Sequence, residues 1–143
     1  MHTQAIICIG NRLIERDALG GRVFDALADL PALPADTDLI DGGLKGLDLL
    51  GYVDGRCRVI FVDALDEASF EPGVRVLTRE AVAAFSTSYG HDAGLPYLLS
   101  LLPKLCQQSL PEILLVGAAG PATPTTVEKI VECCLEIAGH GRN

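Results

Sequence analysis

Three side chains in this 143-residue sequence carry chemistry that packing alone does not require: Asp17, Asp63 and His91. Two carboxylates and an imidazole suit a borderline divalent ion and leave coordination positions for water or a substrate oxygen. Asp17 stands seven residues beyond Gly10, in the segment GNRLIERDALG, where Glu15 is the alternative acid. Asp63 ends the run CRVIFV at 57–62, and His91 sits in the polar stretch STSYGHD at 86–92, whereas His2 and His140 fall near the two ends. Each has an ordinary alternative: an acid favoured at the positive end of a helix dipole, an aspartate capping the turn after a strand, a structural histidine. A further polar point is Asp41-Gly42-Gly43, after the short strand expected at 37–40. Glycine permits close backbone approach and positive φ there, so this turn either positions a substrate through backbone amides or is purely structural.

Other chemistries lack their motifs. Gly10-Asn11 breaks an apolar run as a phosphate-binding turn would, but neither GxGxxG nor GxxxxGK[ST] is present, and there is no GxSxG nucleophile elbow. Cys8, Cys57, Cys106, Cys133 and Cys134 show no CxxC pair and no zinc spacing with histidine, and four of them lie among apolar residues. They read as reduced, small apolar side chains. The net charge is −8, with three lysines and with arginines scattered from 12 to 142, so no clustered positive face exists for nucleic acid. The acidic surface tolerates a basic peptide or a metal-bearing partner.

The elements that must bring Asp17, Asp63 and His91 together alternate between apolar strands and amphipathic helices. Residues 5–9 form a buried strand, and Leu19, Val23, Phe24, Leu27 and Leu30 recur at helical spacing before Pro31. Residues 37–40 form a second strand that delivers the 41–43 turn, and Leu44, Leu47, Leu50 and Val53 mark a short helix. The strand at 57–62 finishes at Asp63. Glu71-Pro72-Gly73 is a turn before a more polar edge strand at 74–77, and Thr78 caps a short helix through Phe85. After the loop at 86–92, leucines 95, 98, 99, 102 and 105 define a helix in which Pro103 suggests a kink. ILLVGAAG at 113–120 is another buried strand, and Thr123-Pro124 caps the last helix, which stops at Gly139.

This alternation predicts one α/β domain over 1–143, with a mostly parallel sheet of about five strands in three layers, helices on both faces. A chain of this length buries roughly two-thirds of its unfolded surface. Its apolar runs fall far short of the roughly 20 residues of a membrane span, and its start lacks a basic leader. The expectation is a cytoplasmic protein with no membrane and no nucleic-acid partner. In parallel sheets ligands bind beyond the carboxyl ends of the strands, where the segments at 10–17, 41–43 and 63 converge.

IGNRLIERDALG at 9–20, IDGGLKGLDLL at 40–50, VIFVDAL at 59–65 and SYGHDAGLPYLL at 88–99 together resemble the NiFe-hydrogenase maturation endopeptidases. These enzymes remove a C-terminal peptide from the hydrogenase large-subunit precursor after nickel insertion, and the resemblance extends over essentially the whole chain. It implies a central sheet flanked by helices and three nickel-contacting side chains. Counted from Gly10-Asn11, these fall on Asp17, Asp63 and His91. It also implies that the nickel is supplied by the substrate, that no organic cofactor is needed, and that the enzyme works as a monomer. Hydrolysis would follow from a metal-polarised carbonyl or from metal-activated water, with Asp17 or Asp63 as base, and Asp41, Gly42 and Gly43 would position the substrate tail. The chain departs from the family pattern in two places. Arg16-Asp17-Ala18 stands where members usually carry an acidic pair followed by glycine, and the loop at 117–126 is short.

Overall fold

The computed structural model describes residues 1–44, 47–83 and 94–140. Five strands, β1 (Gln4–Ile9), β2 (Thr37–Gly43), β3 (Arg58–Ala64), β4 (Gly73–Thr78) and β5 (Glu112–Ala119), form one sheet in the order β2-β1-β3-β5-β4. All neighbours run parallel except β4, which pairs antiparallel with β5 at the edge. The central strands are near-continuous apolar runs because both of their faces are covered. Ala5, Ile7 and Ile9 of β1 and Val59 and Phe61 of β3 point into one layer, and Ile6, Cys8, Ile60 and Val62 point into the other.

Helices α1 (Leu19–Ala28) and α5 (Pro124–Gly139) cover the second face through Leu19, Val23, Leu27, Ile130 and Cys134. The first face is covered by α2 (Leu50–Val53), α3 (Arg79–Ala83) and α4 (Gly94–Leu105), which contribute Val53, Val82, Leu98, Leu99 and Leu102. The three-layer arrangement is the one the alternating pattern predicts. The end signals also act as read. The Thr123 hydroxyl caps α5 by accepting from the Thr126 amide at 3.2 Å, and the Thr78 hydroxyl accepts from the Ala81 amide at 3.2 Å. All five cysteines are free. Among the described residues no helix is long and apolar enough to cross a membrane.

Three boundaries differ from the sequence reading. β2 runs on through Asp41-Gly42-Gly43, so this segment is the strand's end and not a tight turn into a helix. The cause is pairing: Asp41 aligns with Cys8 and Gly43 with Ile9, and Gly42 fits because a Cβ there would lie 2.7 Å from Ile9 Cδ1. β3 likewise continues past Asp63 to Ala64, held by register with Gly117 and Ala118 of β5. The segment expected as a second helix from Leu44 is a 3-10 turn, Leu47–Leu49, followed by the single turn of α2, and Leu44 is exposed. The stretch 86–92, with His91, lies outside the described residues.

Candidate active site

The strand order reverses around β1: the chain leaves β1 for β2 on one side and returns to β3 on the other. Such a switch point opens a crevice at the carboxyl ends of the strands, between the loops that diverge from it. An open cleft of about 780 Å³ lies there, lined by Ile14, Glu15, Arg16 and Asp17 after β1, Ala64 to Glu67 at and after β3, and Gly120 and Pro121 after β5.

Asp17 reaches the cleft on a loop that closes upon itself. The Asn11 amide donates to Asp17 Oδ2 at 2.9 Å, Asn11 Oδ1 accepts from the Leu13 amide at 2.9 Å, and the Asp17 amide donates to the Ile14 carbonyl at 2.9 Å. Gly10, with φ of 142°, makes this closure possible, since a Cβ there would lie 2.3 Å from the Asp17 carbonyl oxygen. Residues 15–17 form a 3-10 turn that leads directly into α1. Ala18 at the junction is buried with φ −86°, an ordinary helical value, so the position does not need the glycine that the resembling family usually places there.

Asp63 arrives from β3. Its Oδ1 accepts from the Ala64 amide at 2.9 Å. Enclosure by protein pushes its carboxyl up to about 8, the nearby Asp17 carboxylate adds to the rise, and the Ala64 amide opposes it. The two acids therefore share one electrostatic environment although they are distant in sequence. Opposite Asp63 on β5 is Gly117, where a Cβ would press to 2.5 Å on the Asp63 carbonyl oxygen.

The two acids of the first loop separate by their partners. Glu15 is held by Arg22 Nη2 at 2.8 Å in an exposed ion pair, while Arg22 Nη1 donates to the Ala122 carbonyl at 2.7 Å. Asp17 accepts a backbone amide and lies within the field of Asp63. The 41–43 segment is not among the residues lining the cleft. Asp41 accepts instead from Arg12 Nη2 at 3.0 Å, and the Gly43 carbonyl accepts from the Gly10 amide at 2.9 Å. Among the described residues no group of three histidine, cysteine or acidic side chains is placed to hold a metal ion. His91, expected as the third contact, lies outside the described residues.

Sequence reasoning did not find the part played by Arg12 and Arg22, which tie the Asp17 loop to its surroundings. Their partners are 7 to 100 residues away, so no local spacing signals them.

Comparison with known proteins bears on the chain as a whole. The chain is 31% identical over 141 residues to the hydrogenase 2 maturation protease of Escherichia coli (strain K12), covering 92% of this chain and 85% of that protein. Its fold superposes on the hydrogenase maturating endopeptidase HybD from E. coli with a TM-score of 0.72 and 25% identity, covering 96% of this chain and 91% of the other. A solution structure of an endopeptidase from Escherichia coli gives a TM-score of 0.70 with 29% identity, covering 97% and 88%. The family model of hydrogenase maturation proteases matches residues 22–133, a span that contains Asp63 and His91. With the strand order, the cleft and the meeting of Asp17 with Asp63 already in place, these matches establish that the chain belongs to the hydrogenase maturation protease family.

Proposed function

We propose that this protein is the endopeptidase that removes the C-terminal peptide of a nickel-loaded NiFe-hydrogenase large-subunit precursor, with Asp17, Asp63 and His91 contacting the nickel that the precursor carries. The observation that carries the reading is that Asp63, enclosed near the end of β3, lies within the field of the Asp17 carboxylate, which lines the cleft at the sheet's switch point. A divalent cation held between the enclosed Asp63 carboxyl and the Asp17 carboxylate offsets both the burial of Asp63 and the repulsion between the two acids. An empty precursor brings no such cation. The nickel is thus part of the substrate, and its presence distinguishes a finished precursor from an unfinished one.

Hydrolysis needs a polarised carbonyl, a water and a proton path. The precursor's nickel polarises oxygen as a Lewis acid. Asp17 or Asp63, as a carboxylate beside that cation, is suited to taking a proton from the attacking water and passing it to the leaving amine. Asp17 is held by the Asn11 amide at 2.9 Å and presents a fixed oxygen donor. The reading carries with it a cytoplasmic monomer that needs no organic cofactor.

Incubation with nickel-loaded precursor, followed by mass analysis of the product, tests the reading. Shortening by wild type and its loss in His91→Ala, with an unchanged melting temperature, is the expected result. A variant that processes normally would remove His91 from the site. Stable binding of precursor that is never shortened would make the protein a client-binding module on the same fold.

A further inference from the structure

The loop that carries Asp17 is closed by its own hydrogen bonds, so the placement of Asp17 against Asp63 depends on what fixes that loop to the sheet and to α1. Arg12 is the side chain that ties the loop to both of these elements. Arg12 Nη1 donates to Asp25 Oδ2 of α1 at 2.7 Å, and Nη2 donates to Asp41 Oδ2 at the end of β2 at 3.0 Å. Its guanidinium carbon lies 5.7 Å from the centre of the Phe24 ring, a favourable cation–π distance. Its aliphatic stem lies on Gly21, where a Cβ would come within 2.6 Å of Arg12 Cγ. An isolated surface ion pair contributes little. Here a planar fork spans two carboxylates on two different elements, stacks on an aromatic ring and occupies a seat left open by a glycine. That geometry limits the loop's freedom far more than one exposed pair would.

We propose that Arg12 is a positioning residue for the protease reaction, and that Asp41 serves the reaction through Arg12 and not by touching the substrate. The proposal rests on the reading of Asp17 as a residue that contacts the precursor's nickel. It gives the aspartate of the 41–43 segment a definite role, in which Asp41 and Asp25 hold Arg12, Arg12 holds the loop, and the loop holds Asp17. Glycine at 21 is part of the same device, because any side chain there displaces the arginine stem.

The test is a double-mutant cycle in precursor processing with Arg12→Met, Asp41→Ala and the pair, together with Arg12→Lys and Gly21→Ala. Each single change is expected to lower kcat by about tenfold, as small misplacements of a reacting group do. KM should stay within about twofold. The pair should be no worse than either single change, and Arg12→Lys should restore part of the rate. Gly21→Ala improves the intrinsic helix propensity of α1 and so should lower kcat without lowering the melting temperature. A raised KM in Asp41→Ala, multiplicative effects in the pair, or unchanged kcat in Gly21→Ala would overturn the proposal.

Amide hydrogen exchange of the free protein separates this from failure of the functional reading. The Asn11 amide, which donates to Asp17, should exchange about tenfold faster in Arg12→Met and in Asp41→Ala. If wild type processes no precursor, the functional reading fails while faster exchange still supports the latch. Unchanged exchange in both variants rejects the latch whatever the activity.

Discussion

Asp63 is a single side chain whose charged form works against the fold. A carboxyl pushed up to about 8 by enclosure and by Asp17 destabilises the native state whenever it is charged. The sign follows from the unfolded value of 3.8: the group's contribution to stability is fully present below that pH, declines as pH rises towards 8, and is lost above it. Asp63→Asn should therefore abolish processing and yet stabilise the metal-free protein, by on the order of a few kcal/mol at pH 8 and by little at pH 4. Urea melts at the two pH values measure the difference. Equal stability changes at both would show that Asp63 is not strained by its surroundings. The sequence left Asp17 and Glu15 as alternatives until the resemblance pointed to Asp17; the structure adds a physical difference, since Arg22 holds Glu15 and the Asn11 amide donates to Asp17. Arg12 was not legible, because its partners Asp25 and Asp41 lie on other elements.

The strands and helices were read well where periodicity is strong and less well where neighbours decide. β1, β3 and β5 are apolar runs with both faces covered, and α5 carries its own cap, so local sequence sufficed. The ends of β2 and β3 were placed too early because Asp41 and Asp63 read as strand-breaking acids, whereas pairing with β1 and β5 carries each strand further. The junction of α1 with β1 is equally dependent on neighbours. A Cβ at Gly20 would lie 1.9 Å from the Ile9 carbonyl oxygen, so helix and strand meet there with no room for a methyl group. Gly20→Ala should destabilise the protein by about 1–3 kcal/mol despite its better helix propensity, because it overpacks a closed contact. It should also slow processing by shifting the segment that follows Asp17. Denaturant melts that showed a gain in stability would mean that the helix can move away from β1 freely.

The molecule as a whole assigns different work to the two ends of the sheet. At the amino ends of the strands, buried Arg56 pairs with Asp38 at 2.7 Å and donates to the His2 carbonyl at 2.9 Å. The pairing holds the Asp38 carboxyl below the usual range. At the carboxyl ends, enclosure and like charge work in the opposite direction at Asp63, and the cleft opens between the diverging loops. The mostly parallel sheet was legible from strand–helix alternation; the antiparallel pairing of β4 and the strand order required the structure. On the proposed reading, a substrate that brings its own cation is what Asp17 and Asp63 receive. The most direct test is to offer the purified protein one precursor prepared with nickel and without it, and to weigh the products of both. Shortening of the nickel-loaded form alone is the result expected from this arrangement, and equal shortening of the two forms would contradict it.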